Sequence, residues 1–227
     1  MIQYLSNILF AVVFFILTGN FIRNLKRVFN NISLGKKIKR NDNKLIRLKK
    51  MFLIAFGQSK MFDKPISAFL HLIVYIGFII INIELVEIIL DGFFGTHRVF
   101  APFMGSFYNF LIASFEILAL LVLIAVFVFW TRRNLYKIKR FISNDLKGWP
   151  KTDANLILYF EVILMSLFLL MNASDYSIQQ KFPNHDYYID AGLFPISKYL
   201  SNYFISYSYE TLVILERIFW WMHIVGI

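Results

Sequence analysis

The sequence has no cysteine among its 227 residues, which excludes disulfides, thiolate metal centres and cysteine-ligated iron–sulfur clusters on this chain. Any redox centre here has to be bound by histidine. Glycine and proline are scarce, at 10 and 5 residues. Gly77 and Gly226 are the only glycines well inside the apolar runs that follow the first. Broken helices of the transporter kind are therefore not evident, and no internal repeat supports such a fold. Acidic residues are outnumbered, 14 against 24 Lys and Arg, for a net charge of +10. Thirteen of the basic residues fall between Arg23 and Lys64 and seven between Arg132 and Lys151. Both blocks separate apolar runs, which explains them as loops on one side of a membrane and argues against nucleic acid as a partner.

What the chain has in abundance is apolar surface: 58% hydrophobic residues, 26 phenylalanines and a mean hydropathy of +0.60. That composition belongs to an all-α integral membrane protein whose main partner is the lipid bilayer. Five runs reach the roughly 20 residues needed to cross the hydrocarbon core. They cover about 2–22, 65–90, 106–131, 154–173 and 204–227, and make one membrane domain over 1–227. The 23–64 and 132–153 loops carry the basic blocks, whereas the other two hold only Arg98, Lys181 and Lys198. The positive-inside rule then predicts a multi-pass protein of the cell inner (plasma) membrane, with N-terminus outside and C-terminus cytoplasmic. The first run lacks a basic n-region and a small-residue cleavage site, so it reads as a retained helix. In the first loop, Leu45, Leu48, Phe52 and Ala55 recur at helical spacing, predicting a short amphipathic helix on the inner surface. Outside, 175–203 is polar and aromatic, with Pro183 and Pro195 breaking regular structure, and is expected to cap the bundle.

Two histidines lie inside spans. His71 is seven residues beyond Lys64, about 10 Å into the membrane from the inner boundary. His223 is nineteen residues past Phe204, about 28 Å from the outer boundary, which returns it to the inner leaflet. Two imidazoles at one depth on different helices can clamp the iron of one haem b, although each alone could serve as a hydrogen-bonding link between helices. Asn82 shares the face of His71 and is a candidate partner around the ring, as are Phe219 and Trp220 one turn from His223. His97 and His185, near Asp91, Asp186 and Asp190, read as loop histidines.

Ionisable side chains at such depth usually face the bundle interior and pair. Glu84, Glu87, Glu116, Glu161, Glu210, Glu216 and Arg217 all fall within spans. Arg217 could neutralise Glu116 or Glu210. Glu84 and Glu87, three apart, could form a protonatable dyad for quinone chemistry. Packing, or snorkelling to the interface, is the blander role for all of them.

Histidines on the second and fifth spans, the segment Phe56-Gly57-Gln58-Ser59-Lys60-Met61-Phe62 leading towards His71, and the run from Ala154 to Asp175 ending Met-Asn-Ala-Ser-Asp carry a resemblance. The pattern resembles the b-type cytochrome fold of the respiratory nitrate reductase gamma subunit. It also resembles the membrane part of heterodisulfide reductases and related iron–sulfur oxidoreductases. The resemblance implies electron transfer between a cytosolic iron–sulfur protein, or a missing C-terminal iron–sulfur domain, and membrane quinone, with His71 and His223 as axial ligands of the haem nearer the cytosol. The second, outer haem of the gamma subunits lacks its histidines here. The chain stops within an apolar run, as a subunit or truncated domain of a respiratory-type oxidoreductase would. The reading from another class is a cofactor-free transport or assembly subunit that uses the intramembrane carboxylates and Arg217.

Overall fold

The computed structural model describes residues 2–36, 41–136, 138, 143–185 and 189–227. It is built from helices, with no strand among the described residues: α1 (Ile2–Ser33), α2 (Lys44–Met51), α3 (Pro65–Phe94), α4 (Ala101–Met104), α5 (Ser106–Asn134), α6 (Trp149–Lys181), α7 (Ser197–Leu200) and α8 (Tyr209–Gly226). Four of them, α1, α3, α5 and α6, are long and apolar enough to cross a membrane. With 29 to 33 residues each they run about 45–50 Å, well past the roughly 30 Å hydrocarbon core. The expected spans were shorter because hydropathy ends where charge begins, whereas the hydrogen-bonded ladder continues into polar sequence. Thus α1 runs on to Ser33 and α6 from Trp149 through Asp175 to Lys181, into what was expected to be loop. The fifth expected span corresponds to α8, 18 residues that include Glu210, Glu216 and Arg217, preceded by a 3₁₀ turn at Ser201–Phe204.

The chain divides into two compact units, Met1–Phe69 with Ile89–Thr96, and Leu70–Ile88 with His97–Ile227. In the first, Asn7 donates from Nδ2 to the carbonyls of Gly92 and Phe93, at 3.2 Å each. Phe10, 2% exposed, meets Phe93 edge-on with ring centroids 5.2 Å apart. The predicted surface helix is α2, which passes at Phe52–Phe56 into a π-turn closed by the Gly57 amide on the Phe52 carbonyl at 2.8 Å.

The second unit holds the candidate site. The buried residues of α5 (Tyr108, Leu111, Ile112, Phe115, Glu116, Ala119, Val122, Ala125, Val126) recur every three or four positions along one face. α6 packs between α5 and α8. α8 turns Leu212, Glu216, Trp220 and His223 inwards, one residue per turn, so its polar side chains are buried with its apolar ones. Ser208 caps α8, its Oγ accepting from the Thr211 amide. Glycines at two crossings permit close approach. A Cβ at Gly77 would stand 2.8 Å from Val122 Cγ2, and one at Gly226 would stand 2.7 Å from Leu164 Cδ2.

Candidate functional site

A cavity of about 230 Å³ opens between α3, α5, α6 and the end of α8. Its walls are mostly apolar (Phe78, Ile81, Val122, Leu164, Met165, Phe168), and four polar side chains reach it: Asn82 and Glu84 from α3, Glu161 from α6 and His223 from α8. Gly77–Ile88, Val122 and Glu161–Phe168 lie around the midpoints of their helices, so the cavity sits near half-height of the bundle. His223 is 4% exposed and lies 3.0 Å through Nδ1 from the carbonyl of Leu164. A carbonyl only accepts, so Nδ1 carries the proton and Nε2 keeps a lone pair. The Phe168 ring lies 6.3 Å from the imidazole. Glu84 is 3% exposed, and Glu161 is half-buried. Asn82 donates from Nδ2 to the Phe78 carbonyl, a local bond that aims its amide along α3.

The other residues singled out in the sequence are distributed differently. His71 is exposed and lies outside the cavity that His223 borders. It stands seven and eleven residues before Phe78 and Asn82, on the same stripe of α3, but about 9 Å nearer that helix's start than Gly77. Equal depth was expected for the two histidines, yet the structure seats His223 beside the middle of α6 and leaves His71 closer to the basic side. Phe219 packs against the cluster of Ala173, Ile178, Phe204 and Leu212. Trp220, 4% exposed, meets Trp221 edge-on and lies 5.1 Å beneath the Arg217 guanidinium. Arg217 grips the adjacent Glu216 with two bonds, Nε to Oε2 at 2.5 Å and Nη2 to Oε1 at 2.8 Å, rather than Glu116 or Glu210.

Glu87 and Glu116 belong to a buried polar network around the first turns of α5 and the last turns of α6. Glu87 accepts from the Phe100 amide and the Tyr108 hydroxyl, both at 2.8 Å. Arg98, 5% exposed, donates to Asp175 at 2.5 Å, and to Tyr108 and Asn172 at 3.0 Å each. Asn172 passes a bond to Glu116 Oε1 at 3.2 Å, and Glu116 Oε2 accepts from the amides of Ile196 and Ser197 at 2.8 and 3.1 Å. His97 Nε2 lies 3.4 Å from Asp175. Burial opposes the charge on Arg98, but the oxygens of Tyr108, Asp175 and Glu84 outweigh it and hold its pKa well above the ordinary guanidinium value. The network pins the connections at 97–100 and 191–201 onto α5 and α6. Glu87 is hydrogen-bonded within the network, whereas Glu84 both acts on Arg98 by its charge and borders the cavity.

Of the two outer histidines, His97 joins this network, and His185 stacks on Tyr209 with ring centroids 4.0 Å apart; Asp186 lies outside the described residues. Sequence reasoning placed Glu161 in the membrane but gave it no role, and it did not pair Arg98 with Asp175. Glu161 was findable, since Leu164, Met165 and Phe168 follow it three, four and seven residues on along the same face. The Arg98–Asp175 pair spans 77 positions and has no local signal.

Over 194 residues, 82% of its length, the chain is 25% identical to an EtfAB:quinone oxidoreductase of Syntrophomonas wolfei. It spans only 25% of that relative's length. No protein-family model matches the chain, and no solved structure matches it.

Proposed function

We propose that this chain is the membrane electron-transfer part of an oxidoreductase, passing electrons between a soluble iron–sulfur protein on its basic side and a quinone from the bilayer. The cavity carries this reading. An imidazole, two carboxyls and an amide converge at mid-height among apolar walls. An acidic side chain at the bilayer centre costs about 2.5–3.5 kcal/mol even on insertion scales, so Glu84 and Glu161 are expensive residues to keep there without a task. Converting a quinone to a quinol takes two electrons and two protons. The iron–sulfur partner would supply the electrons. Glu84 from one wall and Glu161 from another would each deliver a proton to a quinone oxygen and then recover one from water. A volume of about 230 Å³, below the roughly 300 Å³ at which drug-sized pockets begin, suits a single-ring headgroup. The likeness to a quinone oxidoreductase supports the same chemistry.

For a haem b, one observation favours His223 alone as a residue that would hold it. The Leu164 carbonyl fixes the His223 ring through Nδ1 and leaves Nε2 as the nitrogen that would bind a metal. Bound haem would carry single electrons on its iron. His223 fits one side of such a group. His71 does not fit the other side: it is exposed, stands about 9 Å nearer the start of α3 than Gly77, and lies outside the cavity, so the residues present do not form a two-histidine haem site.

Two measurements on the purified chain test the proposal. A quinone analogue is expected to bind the wild type and to bind Glu161→Gln several-fold more weakly, and a sharp reduced-minus-oxidised alpha band is expected to vanish in His223→Ala. If neither analogue nor band is seen, electron transfer is lost as a function and the transport or assembly reading replaces it.

A further inference from the structure

A second hollow, about 500 Å³ and almost wholly apolar, lies between α5 and α6 nearer the basic side. Val126, Phe127 and Trp130 form one wall, and Leu158, Tyr159, Val162 and Ile163 the other. Phe127, Tyr159 and Ile163 are 63%, 46% and 49% exposed, so the hollow is a groove on the lipid-facing surface rather than an enclosed core void. At its mouth the Trp130 indole donates to the Tyr159 hydroxyl at 3.2 Å, which leaves the tyrosine proton to donate elsewhere. Three residues beyond Trp130, and seven beyond Val126 on the same face, comes Arg133 in the last turn of α5. Arg133 reaches across to the Pro150 carbonyl at 3.4 Å, which brings the start of α6, with Lys151, alongside. Lys147 precedes this start and Lys151 lies in it, against Asp145 and Asp153.

The order along the helices is therefore apolar groove, then an aromatic pair, then cations. This is the polarity of a phospholipid read from tail to headgroup. We infer that the groove is a specific site for a phospholipid with an anionic headgroup, its acyl chain lying between Phe127 and Val162, its ester region at Tyr159 and its phosphate at Arg133 and Lys151. The cationic rim selects the headgroup. An acyl chain alone would find apolar surface anywhere on these helices, and the groove differs in being concave and closed at one end by hydrogen-bonded aromatics. This site is separate from the cavity at His223, and its occupancy does not depend on the redox reading.

Native mass spectrometry of the purified full chain, titrated with phosphatidylglycerol or phosphatidylcholine, tests the inference. Phosphatidylglycerol is expected to form a discrete one-lipid complex that outlasts the phosphatidylcholine complex. Arg133→Gln with Lys151→Gln should weaken the anionic complex roughly thirtyfold and leave the neutral lipid unchanged. Val162→Trp, which fills the groove and spares the cations, should remove both complexes without altering the helical circular dichroism. Equal retention of the two lipids by the wild type, or anionic binding that survives both variants, overturns the inference. Displacement of bound phosphatidylglycerol by millimolar inorganic phosphate would show a bare anion site and overturn it as well.

Discussion

The His223 imidazole and the Leu164 carbonyl, 59 positions apart in sequence, meet at 3.0 Å beside the midpoint of α6. This bond joins the last turns of α8 to the wall of the mid-height cavity and sets which imidazole nitrogen is available to a ligand. His223→Ala removes both the link and the lone pair. His223→Gln preserves a donor towards Leu164 but offers no imidazole nitrogen. Both variants should lose any haem signature, whereas only the alanine variant should lose thermal stability in detergent, by about 1–3 kcal/mol for a stranded buried acceptor. Optical spectra and melting curves on the same samples check the two outcomes.

His71 and His223 separate in a parallel experiment. If a haem is clamped between them, His71→Ala should abolish the low-spin alpha band as fully as His223→Ala. If the cavity takes only a quinone ring, His71→Ala should leave quinone-analogue affinity within about twofold of wild type, because His71 is exposed and outside the cavity.

Glu161 and Glu84 face one cavity, and each should matter to proton delivery rather than to electron supply. In Glu161→Gln the rate of quinone reduction by an artificial electron donor should fall about 10²-fold or more, the usual contribution of a positioned acid. The donor-linked reduction of the protein itself should be unchanged. A variant slowed equally in both measurements would assign Glu161 to folding instead.

Arg98 and Asp175 form a buried pair with 6% and 1% side-chain exposure. Arg98→Ala takes the guanidinium from buried Asp175, leaving it the longer contacts to His97 and Gln179, and should cost about 3–5 kcal/mol, seen as loss of folded protein in detergent. The pH dependence follows from the raised pKa of Arg98: its stabilisation is complete below the unfolded value and is lost only as pH climbs through the higher folded value. Both values lie above the working range. Wild-type stability between about pH 6 and 9 should therefore show no titration attributable to this arginine.

Gly77 sits where α3 passes α5, with Val122 Cγ2 only 2.8 Å from where a Cβ would stand. Gly77→Val should force the helices apart at the cavity, at about 1–3 kcal/mol in stability. The affinity for a quinone analogue should change more than it does in Gly19→Val, since a Cβ at Gly19 meets nothing within 4 Å.

Much of the architecture was legible before any coordinates because it depends on solvent preference. Runs of apolar residues long enough to cross a bilayer announced helices α1, α3, α5 and α6. The amphipathic spacing of Leu45, Leu48 and Phe52 announced α2, although the π-turn that follows depends on the Gly57 amide reaching back to Phe52 and could not be read from spacing. Helix ends were misjudged where polar sequence continued the ladder, as in α6 beyond Ala173. Depth counted in residues from a loop also misplaced His223, because α8 begins later and lies against the middle of its longer neighbour.

The sequence by itself determined a cysteine-free, all-helical membrane chain with a basic side and a small set of ionisable residues in its apolar runs, since each of these follows from composition or from order within one segment. Only the tertiary structure decided which of those residues meet. It set Arg98 against Asp175, Arg217 against Glu216 and Glu116 against the amides of Ile196 and Ser197, and it left Glu84, Glu161, Asn82 and His223 around one cavity. A buried charge takes whichever partner helix packing brings within about 3 Å, and that packing is fixed by side-chain shape and close glycine crossings along the whole bundle rather than by any local pattern.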